Sequence, residues 1–283
     1  MAAAKWKPFP YDASDYRYEG AALKKAWPEL HRGDCEPFPD ATFVMEAFAR
    51  HPKLKGARDA QTTATALQSA WRAYHRGDFA AAVAEGSALG PIGANAANKA
   101  ANIYATYIET DGEQKREIYL KSAERAEALQ ATAPDSVNAF YFHAQALGRY
   151  AQEISVAKAL ARGIGGKVKE SLDIAVRLEP NHAEAHIALG AYHAEIVGKV
   201  GGMLAKLTYG ASKEEAVRHF ALARRLLPDS AIARVEEANG LVTLFGKAKL
   251  PEAERLYREA ARCKPADAMQ RLDAEHAKEE TAG

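Results

Sequence analysis

The chain has 283 residues, 48% of them hydrophobic, and its 38 lysines and arginines almost balance its 37 aspartates and glutamates. That balance excludes a basic field for a phosphate backbone, so nucleic acid is not an expected partner. No apolar run reaches signal-peptide length at the N-terminus or membrane-spanning length elsewhere, and Cys35 and Cys263 lie near opposite ends; the expectation is a cytoplasmic protein with no intrachain disulfide and no membrane insertion.

Residues 1–60 differ in texture from the rest. Six of the twelve prolines and nine of the twenty-four aromatics fall before residue 53. Prolines oppose long helices while aromatics need burial. Two readings satisfy both: an arm lying on the surface or in a groove of the body, or a cap on its first repeat. If the arm fills the groove, removing residues 1–17 is expected to tighten binding of any partner.

An internal repeat begins in this region. Ala26-Trp27-Pro28-Glu29-Leu30-His31-Arg32-Gly33-Asp34 returns 44 residues later as Ala70-Trp71-Arg72-Ala73-Tyr74-His75-Arg76-Gly77-Asp78, six of nine positions identical. Both Gly-Asp pairs read as a turn between two helices, the glycine supplying a permissive backbone and the aspartate capping the second helix. An Arg-Gly-Asp adhesion motif is set aside in this helical context.

Helical signals then follow in order. A helix starts near Phe79 and stops at Gly90-Pro91. Another covers residues 94–110, Asp111-Gly112 is the next turn, and a long helix runs from about Glu113 to Ala131. Pro134, Pro180, Pro228 and Pro265 each close a helix, and Asp135-Ser136, Asn181 or Asp229-Ser230 open the next in the first three cases. Around Pro180 to Pro228 the pattern is sharpest. One helix carries Gly190 as a close-approach point, and its partner carries Ala216, Phe220 and Ala223 at i, i+4 and i+7, facing that glycine. Ser212 with Glu215 forms a capping box for the partner. The last pair uses Ala231–Phe245 and Pro251–Cys263, and Asp267–Lys278 reads as a charged, largely exposed terminal helix.

These helix pairs resemble the tetratricopeptide repeat (TPR), a helix-turn-helix unit of about 34 residues. The lengthened repeat with Leu207-Thr208-Tyr209-Gly210 and Ser212-Lys213-Glu214-Glu215-Ala216 is similar to the regulator of microtubule dynamics family, and there is a looser likeness to TPR components of bacterial tripartite transporters. The resemblance implies an all-α, TPR-like superhelical solenoid of about six antiparallel helix pairs with a C-terminal capping helix. Its expected parts are a Pro/aromatic-rich arm with a degenerate first helix pair over 1–60, a solenoid with extended repeats over 61–265, and a polar capping helix and tail over 266–283. The extensions fall at Gly163-Ile164-Gly165-Gly166-Lys167 and Gly198-Lys199-Val200-Gly201-Gly202.

The family likeness implies a non-catalytic scaffold that binds a protein or peptide in a concave groove lined by the first helix of each pair. Its groove positions map to Trp71 and His75, to Asn138, Tyr141, Gln145 and Arg149, to Glu184, Ile187 and Glu195, and to Val235, Asn239 and Thr243. No cofactor is expected. His182, His186 and His193 share one helical face, but His193 lies about 10 Å up the helix from His186 at a rise of about 1.5 Å per residue. They are read as packing residues, with His182 at the helix cap. Gly163–Lys167 lacks the spacing of a phosphate loop. The alternative function is a metal-dependent enzyme or small-ligand-binding protein that uses the 182–193 helix or the glycine-rich inserts.

Overall fold

The computed structural model describes residues 6–282, and among these every regular element is helical. The helices, in chain order, are α1 (Ala22–Leu30), α2 (Ala41–Arg50), α3 (Ala60–His75), α4 (Phe79–Ser87), α5 (Ala94–Tyr107), α6 (Gly112–Thr132), α7 (Val137–Gln152) and α8 (Val156–Ala161). They continue as α9 (Ile164–Leu178), α10 (Ala183–Val200), α11 (Gly202–Tyr209), α12 (Lys213–Leu226), α13 (Ala231–Phe245), α14 (Leu250–Ala260) and α15 (Ala268–Ala282). The boundaries follow local chemistry. Asp40, Asp59, Asp78, Asp111, Ser212 and Ser230 each accept a backbone N–H from the first turn of the helix they precede, and His182 does the same for α10 through its ring nitrogen. Such caps satisfy donors that the helix itself leaves unpaired.

The chain forms two compact units, Met1–His31 with Glu36–Ile174, and Arg32–Cys35 with Ala175–Gly283. In the first, α3/α4 and α5/α6 are antiparallel pairs, and α7 packs on α6 and meets α9 through His143 and Ser171; in the second, α10/α12 and α13/α14 are pairs, and α15 packs on α13 and α14. The glycine-rich stretches become connectors. α8 bridges α7 and α9, while Gly201, at φ +79°, breaks α10 from α11.

Close approach governs packing both within and between pairs. A Cβ at Gly190 of α10 would sit 2.6 Å from the Phe220 ring of α12, and Gly240 of α13 abuts the opposite edge of the same ring. In the first unit, a Cβ at Gly86 of α4 would lie 2.8 Å from the Gly93 carbonyl and 3.0 Å from the Ala97 nitrogen at the start of α5. Alanines fill most remaining helix contacts, among them Ala97, Ala101 and Ala105 in α5 and Ala216 and Ala223 in α12.

The internal repeat has a structural meaning that its sequence does not announce. Its two copies pack on each other: Trp27 meets Trp71 edge to face at 5.7 Å, and His31 Nε2 lies 3.3 Å from His75 Nε2. The second Gly-Asp pair is the expected turn, with Gly77 at φ +85° and Asp78 capping α4. The first is not. Asp40 caps α2 instead, and the Gly33 carbonyl accepts the Glu184 N–H at 2.9 Å beside the start of α10. The terminal helix also departs from expectation, because Ala268, Met269, Leu272, Ala274 and Ala277 bury one face of α15.

Residues 6–11 pack on the first unit. Trp6 stacks on Tyr104 at 3.9 Å, and the Lys7 N–H donates to the Tyr104 hydroxyl, which donates to Glu109. Phe9 lies over Gly77.

Two glycine substitutions separate helix propensity from packing. Gly148→Ala in α7, where a Cβ meets nothing within 4 Å, should stabilise by up to about 1 kcal/mol. Gly190→Ala should instead destabilise by about 1–2 kcal/mol, since overpacking of about 1–3 kcal/mol exceeds that gain against a ring held on both edges. Urea unfolding of both variants measures the difference.

Candidate functional site

Three first helices of the first unit each offer a side-chain amide to one extended stretch of the same chain. Gln68 of α3 donates through Nε2 to the Pro39 carbonyl at 3.0 Å. Asn95 of α5 donates to both carboxylate oxygens of Glu36, at 3.0 and 3.3 Å, and Asn138 of α7 donates to Glu36 Oε2 at 2.6 Å. Residues 35–40 carry no regular structure. Trp27 Nε1 donates to the Glu36 carbonyl at 2.7 Å, and Phe38 packs edge to face on Trp27 with Lys24 over its other side.

The placement of the two asparagines explains their preference for an anion. Each is the second residue of its helix, where the unpaired N–H groups and the aligned peptide dipoles favour negative charge. Hydrogen bonds to a charged group contribute about 1.5–3 kcal/mol each, so this pair is strong enough to order the segment that supplies the carboxylate. A second tier lies further along the same helices: Asn102 donates to Gln145 at 2.9 Å, and Gln145 donates to the Tyr141 hydroxyl at 3.2 Å.

The expected groove residues therefore divide. Asn138, Tyr141 and Gln145 are brought together on this face, with Asn138 and Tyr141 buried. Arg149 lies one turn on from Gln145 and donates to Gln152. Trp71 and His75 are 1% and 0% exposed, enclosed by Trp27, His31, Tyr74 and Tyr18, so they are core and not groove. In the second unit, Ile187 packs with Ala223 and Ala233, and Val235 with Ala231, Ala260 and Ala277. Both are likewise core, because these positions face the neighbouring helix. Glu184 lies against Gly33, Glu195 pairs with Lys199, Asn239 accepts the Tyr257 hydroxyl, and Thr243 back-bonds to the Asn239 carbonyl. Sequence reasoning missed Gln68, Asn95 and Glu36. The recurrence of Asn at the second helix position, Asn95 and Asn138, is the signal that marks them.

The second unit holds a chain of histidines. His186 Nε2 lies 3.0 Å from the Pro180 carbonyl, which only an N–H can satisfy, so its Nδ1 is a lone pair. His219 Nδ1, 2.8 Å away, must then be the donor to it. That leaves His219 Nε2 as an acceptor, and Arg218 Nη2 stands 3.1 Å from it. Burial and then the Arg218 charge push the His219 pKa down to about 3. Burial likewise lowers His186, and it lowers His143 of the first unit, whose ring meets Ser171 and Glu127.

Below their ordinary value of 6.5 the unfolded chain protonates all three rings more readily than the folded protein does. Their contribution to stability is complete above pH 6.5 and is lost as pH falls, for His219 by on the order of 1 kcal/mol per pH unit down toward its folded value of about 3. Urea midpoints should fall from pH 7 to pH 5, and His219→Asn should flatten that slope by about one proton. An unchanged slope would remove His219 from the set.

The comparisons with known proteins agree with this architecture. A solved TPR protein of the thermophile Thermus thermophilus superposes with a TM-score of 0.55 at 16% identity, over 76% of this chain and 98% of that one. At that identity the likeness establishes the fold alone, an all-α TPR-like stack of helix pairs. No curated protein matches the chain. Among the described residues, no helix is long and apolar enough to cross a membrane. The model of the family described as "Regulator of microtubule dynamics protein 1-3" matches residues 93–279, more than half of the sequence. The chain belongs to the regulator of microtubule dynamics family.

Proposed function

We propose that this protein is a non-catalytic scaffold that binds an extended, acidic segment of a partner protein on the first-helix face of its first unit. One observation carries the reading: Gln68, Asn95 and Asn138, from three successive helix pairs, already hold the unstructured stretch Glu36–Pro39 by its carbonyl and its carboxylate. Amide side chains spaced along parallel helices suit an extended backbone, and first-turn asparagines suit a carboxylate. Glu36–Pro39 is thus a resident ligand, and a partner must displace it. Tethering gives the resident segment an effective concentration of order millimolar, so it excludes weak competitors.

A cytoplasmic setting fits the cysteines. Cys35 and Cys263 are both free, and partial desolvation of the exposed Cys35, reinforced by the charges of Glu179, Asp34 and Glu184, pushes its thiol up to about 12. A thiol held protonated is a poor nucleophile.

The experiment uses a labelled peptide Glu-Pro-Phe-Pro-Asp, the sequence of residues 36–40, in an anisotropy titration. Glu36→Ala protein should bind it, wild type should bind it at least about tenfold more weakly, and Glu36→Ala with Asn138→Ala should lose it. Equal affinity in all three proteins, or none in any, would refute the assignment.

A further inference from the structure

Three side chains able to ligate a metal meet in the second unit from two different helices. His193 of α10 and Glu215 and His219 of α12 each present one ligand atom, and these atoms all lie within 4.8 Å of one another. Glu215 and His219 stand four residues apart and so share a helical face. His193 and His219 are buried, and Glu215 reaches toward the surface.

Two local departures from ordinary helix chemistry prepare this arrangement. In a full capping box the Glu215 carboxylate would accept the Ser212 N–H. Ser212 Oγ does accept the Glu215 N–H at 3.2 Å, but the Ser212 N–H goes to His193 Nδ1 at 3.3 Å. The carboxylate is thereby turned toward Arg218 and His219. The second departure is the relay from the Pro180 carbonyl through His186 to His219 Nδ1. It fixes the His219 tautomer and aims the Nε2 lone pair outward, which is how metal-ligating imidazoles are oriented by outer partners.

We propose that His193, Glu215 and His219 form a binding site for a divalent first-row transition ion, zinc foremost, for which Arg218 competes. The guanidinium lies 2.5 Å from Glu215 Oε2 and 3.1 Å from His219 Nε2, the same atoms an ion would take. Arg218 is more than half exposed, so its side chain swings into solvent at small cost, a surface ion pair being worth about 0–1 kcal/mol. On binding, the Ser212 N–H passes from His193 to the second Glu215 oxygen and completes the capping box. Two imidazoles and one carboxylate favour zinc over magnesium or calcium, which take oxygen ligands, and they leave a fourth position for water. The proposal is independent of the peptide-binding reading.

The test is titration of the full chain, free of affinity tag and stripped by chelator, with zinc chloride against a chromogenic chelator. One ion should bind per chain. Glu215→Gln, at the surface and so compatible with folding, should weaken binding at least about tenfold, and His193→Ala more. Arg218→Ala should tighten it, while His51→Ala, in the other unit, should change nothing. Binding that fails to saturate at one equivalent, or that survives Glu215→Gln unchanged with circular dichroism still helical, would overturn the site.

Discussion

The structure depends on how closely neighbouring helices approach, within a pair and from one pair to the next. Contacts such as Gly190 with Phe220, and Gly86 with Gly93 and Ala97, leave no room for a Cβ on one side. Short separations let small side chains bury a continuous core and explain the wealth of alanine. They also fix the rotation of each helix about its axis. In the first unit that rotation points Gln68, Asn95 and Asn138 toward one extended stretch, and a turn of a few tens of degrees in any of the three helices would withdraw its amide.

The two units use polar burial differently. In the first, amides and one carboxylate pair across the face, with Tyr141, Gln145 and Asn102 continuing the ladder. Such amides can both donate and accept, so they are not committed to one partner chemistry. In the second, histidines are locked into one tautomeric order by the Pro180 carbonyl. A fixed order leaves a defined lone pair at its end, on His219 Nε2.

Much of the fold was legible in the residues. Pro134, Pro180 and Pro228 marked helix ends because proline cannot continue a helix, and Asp111, Ser212 and Ser230 marked starts because their side chains satisfy open N–H groups. The Gly190 and Phe220 contact followed from spacing on facing stripes. The site was harder to read for three physical reasons. Trp71 and His75 sat on the expected face, but the earlier copy of their own motif, Trp27 and His31, covers them. Glu36 lies in a stretch with no periodicity, so nothing local shows what holds it. Along one helix His186 and His193 stand too far apart to share an ion, whereas His193 meets Glu215 and His219 across a pair.

The central claim is that Asn138 holds Glu36, so the most direct measurement is a double-mutant cycle on unfolding free energy with Glu36→Ala, Asn138→Ala and the double variant. A coupling of about 1–3 kcal/mol is the predicted result. A coupling of zero within error would contradict it, and with it the idea that residues 36–39 are the resident ligand of this face.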